Sequence, residues 1–304
     1  MAADTVNTTL YYFQPPFDNS KPWFEVDIDP KTGQRNSNFT LDSQVLEVEN
    51  VRGHEDEYDL DSSGFRFLKW SSDFTSFNDD AAIKSAYYKE SAEIIKKVTG
   101  CRRVVLFDHS TWTSNFSRRV HTNLPQAIRR NRPGVPDISE DTRAPVPRVH
   151  VDQTPEAAAR RVHMHTPENI ASDLLKHRFQ IINFWRPINH SALDYPLALC
   201  DYRTIDWDND LIPTTIKFAN RVGENFSVKY SPQHRWKYLR GMRTDELVLI
   251  KCFDSRMDGK TAILTPHTAF IDPTTPKDAP LRESIELRAL VFYDDLSAEI
   301  PVSG

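Results

Sequence analysis

Short strand-like stretches occupy most of this 304-residue chain. They are rich in β-branched and aromatic side chains and are bounded by Pro, Asp, Asn or Gly, as in "RRVVLFDHS", "FQIINFWRPI", "ELVLIKCF" and "SIELRALVFY". Many short strands with such boundaries are typical of a sandwich or a barrel. The pattern therefore predicts a mainly β fold with flanking helices.

Three segments carry helical signals. The first covers residues 78–98, where Ser76 or Asn78 can act as the N-cap and Gly100 can end the helix. Its apolar residues recur on one stripe, so this helix is expected to lie against a sheet. The other two follow Thr-Pro-Glu sequences, which supply an N-cap and a proline at the first helical position, and start at Thr154 and Thr166.

The chain shows no linker and no internal repeat. We therefore predict a single domain over residues 1–304. Residues 1–100 would supply N-terminal strands and a supporting helix, and residues 101–304 would supply the barrel core. The proline- and arginine-rich span 125–147 has few apolar anchors, and a loop of that length is usually functional, so it is predicted to form a lid-like surface loop.

Charge and composition restrict the partners. A formal net charge of -5 argues against a nucleic acid or an anionic membrane surface as the main partner. No apolar run is long enough to span a bilayer, and "MAADTVNTTLYYF" lacks the basic and apolar regions of a secretory signal. The 3 cysteines lack CxxC spacing, which argues against a disulfide framework or a zinc knuckle. These features predict a cytoplasmic protein.

The segment "PVPRVHVDQTP" holds the first pair of candidate metal ligands, His150 and Asp152. Its prolines disfavour helix and its valines favour strand. Residues two apart in a strand point to one face, so an imidazole nitrogen and a carboxylate oxygen can reach the same ion. Two ligands are too few for a durable site, and the competing interpretation is a polar patch on a strand.

His267 is the best candidate for a third ligand. It lies in "AILTPHTAFIDP", near the end of one predicted strand and ahead of the last one. Two imidazoles and one carboxylate form the facial triad that holds Fe(II) and leaves coordination positions open. Catalysis by a metal requires such open positions.

The last predicted strand, "LRESIELRALVFY", carries a candidate anion clamp. Arg282, Ser284, Glu286 and Arg288 would share one face of it. A guanidinium can hold the carboxylate of a keto-acid cosubstrate through two parallel hydrogen bonds, and a nearby serine can add a third. We favour Arg282, together with Ser284, as the residues that bind this carboxylate. Arg288 is the alternative, and its structural role would be an ion pair with Glu286.

The order His-x-Asp, distal His and Arg-x-Ser closely resembles the Fe(II)/2-oxoglutarate-dependent dioxygenases. The segments "FDHS", "RVHVDQTP", "INFWRPI", "PLALCD", "DELVLIKCFDS", "LTPHTAFIDP" and "RESIELRALVFY" are similar, in the same order, to the fungal AsaB-like hydroxylase/desaturase family, with its gibberellin desaturase-like and cephalosporin methoxylase-like relatives. The resemblance runs from about Val104 to Tyr293.

The resemblance implies a double-stranded β-helix, a jelly-roll or cupin-like barrel. It implies Fe(II) on the triad, 2-oxoglutarate as cosubstrate and dioxygen as oxidant. The substrate would be a small molecule, and an unactivated C–H bond would undergo hydroxylation, desaturation or oxidative cyclisation, in secondary-metabolite biosynthesis. A cupin-like metal enzyme without 2-oxoglutarate and a non-catalytic binding barrel remain as alternatives.

Further residues are candidates for cosubstrate or substrate contacts. Asn183 and Trp185 share one face of "INFWRPI" and can respectively bind the metal-bound end of the cosubstrate and wall the pocket, or can belong to an ordinary core strand. Asp108 and His109 can orient substrate or fix ligand tautomers, or pair at a strand end. Arg118 can bind a substrate carboxylate or be a solvated surface residue. An exposed strand edge would allow a homodimer.

Overall fold

The computed structural model describes residues 4–110 and 145–296, except positions 28, 30, 31, 33 and 34. Arg118 and most of the predicted lid, residues 125–147, lie outside this part of the chain. The described residues form two β-sheets with short helices around them, in agreement with the predicted mainly β class.

Fourteen strands lie within the described residues. They are β1 (Thr5–Gln14), β2 (Trp23–Glu25), β3 (Thr40–Asn50), β4 (Phe65–Lys69), β5 (Arg103–Ser110), β6 (His150–Val151), β7 (Phe179–Pro187), β8 (Leu197–Cys200), β9 (Leu211–Lys217), β10 (Val222–Val228), β11 (Trp236–Tyr238), β12 (Glu246–Asp254), β13 (His267–Ala269) and β14 (Ser284–Phe292). The larger sheet has the order β1-β3-β11-β8-β13-β6-β10-β9-β2, and the smaller sheet has the order β4-β12-β7-β14-β5.

The two sheets pack face to face, and the pleat decides which side chains meet between them. On β7, Trp185 joins an apolar cluster with Val248 of β12 and Leu199 of β8, which belongs to the other sheet. Neighbouring Phe184 points the opposite way and joins the cluster on the helix side. All nine residues of β7 are buried, as expected for a strand covered on both faces.

The predicted helix over residues 78–98 exists and covers the smaller sheet. It comprises α1 (Asp80–Ala82), a π-helical segment (Ile83–Tyr87) and α2 (Tyr88–Thr99), and Gly100 ends it with φ 68° as predicted. The predicted caps are wrong, because the carboxylate of Asp79 accepts the free backbone N–H groups of the first turn.

The remaining helices are short. They are α3 (Pro155–His165), α4 (Glu168–Leu174), α5 (Trp207–Asp210) and two 3-10 turns, Glu55–Glu57 and Tyr202–Thr204. Thr154 is the N-cap of α3 as predicted. The predicted third helix exists as α4, but it does not start at Thr166: its N-cap is Pro167, and Thr166 ends α3, where its hydroxyl donates to the Val162 carbonyl.

No helix in the described part of the chain is both long and apolar enough to cross a bilayer.

Gly64 links the smaller sheet to the segment that leads into β13. Its φ is +88°, and its carbonyl accepts hydrogen bonds from the Lys251 N–H at 2.8 Å and the Thr265 hydroxyl at 2.6 Å. A Cβ at this position would lie 2.5 Å from the Thr265 Oγ1 and 2.8 Å from the Leu264 carbonyl oxygen. Only glycine fits both the backbone conformation and the close approach.

Gly64→Ala should lower the free energy of unfolding by roughly 3 kcal/mol, the sum of left-handed strain and overpacking. Gly53→Ala is the matched control, because Gly53 has φ +92° but open space around its Cβ position. The control should lose only about 1 kcal/mol. Urea denaturation of both variants measures the difference, and equal losses would show that the contact with Thr265 is unimportant.

Candidate active site

His150, Asp152 and His267 come together between the sheets. His150 on β6 lies directly opposite His267 on β13 in the antiparallel pairing, and their ring centroids are 4.5 Å apart. One ligand atom from each of the three residues lies within 4.8 Å of the others, and the His150 Nε2 is 3.5 Å from an Asp152 oxygen. Ligands that share one ion at about 2.1 Å span up to roughly 4.2 Å, so small side-chain rotations suffice.

Backbone carbonyls orient both imidazoles. The His150 Nδ1 is 2.8 Å from the Arg148 carbonyl oxygen, and the His267 Nδ1 is 3.0 Å from the Thr265 carbonyl oxygen. A carbonyl only accepts, so each Nδ1 must carry the proton and donate it. Each Nε2 therefore keeps its lone pair for a metal, which is the usual arrangement of metal-binding histidines.

The smaller sheet holds the carboxylate of Asp152. The Asn183 amide donates to one of its oxygens at 2.7 Å, and the Arg288 Nε lies 3.8 Å from the same oxygen. Burial would raise the pKa of Asp152, but the polar groups around the carboxylate, among them the positive charge of Arg288, outweigh it and hold the pKa well below its usual value. Asp152 is therefore a carboxylate, as a metal ligand must be.

Two further observations fit a divalent cation. Burial lowers the pKa of His150 to about 4, and the charge of His267 contributes, so the imidazole is neutral at physiological pH. The side-chain oxygen of Asn183, Oδ1, is buried without a hydrogen-bond partner and therefore remains available to a cation or to a hydrogen-bond donor. Two neutral imidazoles and one carboxylate are the donor set of the facial triad.

Arg288 is bound by carboxylates. Its Nη1 donates to Asp108 at 2.8 Å and its Nη2 donates to Glu286 at 2.7 Å. Burial alone would lower the pKa of Arg288, yet the charges of Glu286, Asp152 and Asp108 raise it above the ordinary value. The predicted ion pair with Glu286 is present, and the guanidinium also reaches towards the metal-ligand carboxylate.

Arg282 precedes β14 and does not lie on it, although the sequence pattern placed it on the strand. Its side chain is 4% exposed, its Cζ lies 5.5 Å from the centre of the Trp185 ring, and its Nη1 donates to the Tyr195 carbonyl. Trp185 and Asn183 are two residues apart on β7 and share its inner face. Trp185 thus stands between Arg282 and the residue that binds Asp152.

Asp108 and His109, which the sequence analysis considered together, lie on opposite faces of β5. Asp108 contacts Arg288 at the site, whereas His109 is 1% exposed on the helix side. There its Nδ1 lies 2.6 Å from the Tyr88 hydroxyl oxygen and its Nε2 lies 3.0 Å from Asp80. Successive strand residues point to opposite faces, so both could not have faced the metal.

Two residues near the site were not identified from the sequence. Cys252 lies where the β12–β7 register shifts, and its Sγ is 3.8 Å from the Asp152 carboxylate. A single cysteine in a strand gives no local sign of this contact. Arg161 lies on α3, and the charges of Arg288 and Asp152 act on it. The sequence signal that could have identified Arg161 is its position nine residues after Asp152, on the helix whose N-cap is Thr154.

Comparisons with known proteins agree with this geometry. A family model described as an oxidoreductase/YMDC permease-like domain matches residues 10–292. The hydroxylase/desaturase CTB9 of Cercospora beticola is 33% identical over 94% of this chain and 93% of its own length. The chain belongs to the fungal Fe(II)/2-oxoglutarate-dependent dioxygenase and hydroxylase/desaturase family.

Other members of the family support the same assignment. The Fe(II)/2-oxoglutarate-dependent dioxygenase nvfI of Aspergillus novofumigatus is 32% identical over 87% of this chain and 89% of its own length. A solved structure of the iron and alpha-ketoglutarate-dependent endoperoxidase NvfI matches with a TM-score of 0.78 and 29% identity, over 96% of this chain and 99% of that one. The predicted jelly-roll fold and oxygenase class are confirmed, and the alternatives without 2-oxoglutarate lose their support.

The pKa values of the histidines in this chain predict which of them become protonated as the pH falls. Burial lowers the pKa of His150 and of His165 to about 4, with His267 and Arg161 respectively contributing, whereas the hydrogen bond that exposed His54 donates to the Glu57 carboxylate raises the pKa of His54. At pH 6, 1H–15N spectra of the metal-free protein should show His54 mostly charged and the other two neutral. A charged His150 at pH 6 would contradict the site as described.

The same shifts predict a pH dependence of stability. Unfolded histidines bind a proton near pH 6.5, but folded His150 and His165 do so only near pH 4. Between these values the unfolded state binds more protons, so the contribution of both residues to stability is lost as the pH falls from about 6.5 to 4. His165→Phe should reduce this slope in urea titrations of the metal-free protein, and an unchanged slope would contradict the assignment.

Proposed function

We propose that this protein oxidises an unactivated C–H bond of a small metabolite by hydroxylation, desaturation or oxidative cyclisation, within secondary-metabolite biosynthesis. The observation that carries the proposal is the convergence of His150, Asp152 and His267 between two sheets that also bury Arg282. Membership of a family of hydroxylase/desaturases and dioxygenases supports it.

His150, Asp152 and His267 would hold Fe(II). Their protonation states suit a divalent cation, because both imidazoles present Nε2 and the carboxylate is ionised. Iron bound here with 2-oxoglutarate and dioxygen supplies the oxidising chemistry that acts on C–H bonds. The protein's own contribution is to position one C–H bond and to exclude water from the site.

Arg282 and Ser284 would bind the distal carboxylate of 2-oxoglutarate. Arg282 is buried against Trp185, and Ser284 begins β14 and is 5% exposed. Arg288 is the weaker candidate, because its Nη1 and Nη2 donate to Asp108 and Glu286. A guanidinium already paired with two carboxylates gains little from a third.

Asn183 and Arg288 would act as positioning residues for Asp152. The side-chain NH2 group of Asn183 donates one hydrogen to one oxygen of Asp152, which leaves the other oxygen towards His150. Its second N–H would donate to the metal-bound carboxylate end of the cosubstrate. Trp185 would form the wall between this end and Arg282. Asp108 would help to orient the substrate by way of Arg288.

Several properties beyond the site remain part of the proposal. The chain would work as one oxygenase domain over residues 1–304, in the cytoplasm. Arg118 would contact substrate. Homodimer formation stays a prediction from the sequence.

The roles of the two arginines can be tested by binding. Arg282→Gln should weaken 2-oxoglutarate binding about a hundredfold, because a bidentate, charge-assisted pair contributes roughly 3 kcal/mol. Arg288→Gln should change the affinity less than about threefold. Anaerobic calorimetry of the Fe(II)-loaded variants measures both dissociation constants, and succinate release with candidate metabolites then measures turnover. A loss in Arg288→Gln with none in Arg282→Gln would exchange the two roles.

A further inference from the structure

α3 presents two polar side chains at the rim of the metal site. Arg161 and His165 are four residues apart, so they share one face of the helix. Both pack on Phe107 of β5, the residue before Asp108. The His165 ring is stacked on Phe107 with centroids 4.6 Å apart, and the Arg161 Cζ lies 5.6 Å from the centre of the same ring.

Neither side chain has a polar partner to account for its burial. Among the described residues, Arg161 makes no ion pair and no side-chain hydrogen bond, and the His165 Nε2 is buried without a hydrogen-bond partner. Both residues are half-buried. Native proteins satisfy almost all buried polar groups, so the buried, unpaired Nε2 of His165 beside a half-buried arginine that makes no ion pair within the described part of the chain indicates a missing ligand.

The charges around this pair favour an anion. Burial and the charges of Arg288 and Arg221 lower the pKa of Arg161, so further negative charge would relieve an electrostatic cost. Asp108 supplies some negative charge, but its carboxylate is engaged by the Arg288 Nη1 at 2.8 Å. His165 is neutral near pH 7, and its Nε2 can donate one hydrogen bond.

We propose that Arg161 and His165 bind an acidic group of the substrate, so that the substrate is a small organic acid. The guanidinium would hold the carboxylate and the imidazole Nε2–H would donate a further hydrogen bond. The inference rests on the proposed function, because the acid must lie close to the oxidising metal. The contacts support this location, because Arg161 packs on Phe107, the next residue Asp108 binds Arg288 at 2.8 Å, and the Arg288 Nε lies 3.8 Å from the Asp152 carboxylate.

The test uses matched acids and esters. The Fe(II)-loaded protein is saturated with N-oxalylglycine under anaerobic conditions, which fills the 2-oxoglutarate site and keeps the probes out of it. Calorimetry then measures the binding of three pairs: 2-naphthoic acid, abietic acid and dodecanoic acid, each against its methyl ester. At least one acid should bind about tenfold more tightly than its ester, which corresponds to roughly 1.4 kcal/mol.

Variants then locate the acid. Arg161→Gln and His165→Phe should each weaken binding of that acid about tenfold and leave the ester unchanged. Arg160→Gln and His163→Phe are the matched controls, because both residues lie exposed on the same helix, and they should bind the acid like the wild type. Thermal melts confirm folding, and Arg161→Lys, which keeps the charge but loses the bidentate geometry, should fall between wild type and Arg161→Gln.

Three results would overturn the inference: no acid preferred over its ester, an acid affinity within twofold of wild type in Arg161→Gln, or equal losses in the control variants. A tenfold loss of 2-oxoglutarate affinity in Arg161→Gln, measured without N-oxalylglycine, would also overturn it by assigning Arg161 to the cosubstrate. Failure of the proposed function is separate, because it would appear as wild-type protein that binds no 2-oxoglutarate.

Discussion

The pairing of β6 with β13 is the constraint on which the rest of the site depends. It places His150 directly opposite His267, although 116 residues separate the two in sequence. The antiparallel register brings both imidazoles to the same face of the larger sheet, and two backbone carbonyls fix both tautomers. A shift of one residue would turn one histidine away and destroy the site.

The smaller sheet then completes the site from the opposite side. Asn183 of β7 and Arg288 of β14 are paired in register, and both reach Asp152. Arg288 also compensates the charges of Asp108 and Glu286. Buried charges are tolerated only when they are paired, and the loss of one partner leaves the others uncompensated. The two sheets are therefore tied together by the same polar network that orients the metal-ligand carboxylate.

The sequence predicted the features that depend on local periodicity. His-x-Asp in a strand puts two ligands on one face whatever the fold, and Thr154 followed by proline is a local start signal for α3. Gly100 ended its helix as predicted, because the left-handed conformation is encoded in one residue. The order of the motifs was sufficient for the family and the fold class.

Features that depend on tertiary contacts were not predictable. Arg282 lies outside the strand because β14 begins only where Ser284 pairs with Pro187. His109 turns towards Tyr88 because the pleat allows only one of two neighbours to face the site. Cys252 reaches Asp152 through a register shift between two strands, and Arg161 of α3 packs on Phe107, the residue before Asp108. None of these contacts leaves a pattern in a short segment of sequence.

The most direct test of the account is an anaerobic titration of the full chain with Fe(II) and then with 2-oxoglutarate, followed by visible absorption. One equivalent of iron should bind, and a weak charge-transfer band should appear when the keto acid is added. His267→Gln should remove both, because two ligands do not hold the ion. Iron binding without the band would contradict the assignment of 2-oxoglutarate, and the absence of stoichiometric iron would contradict the metal site itself.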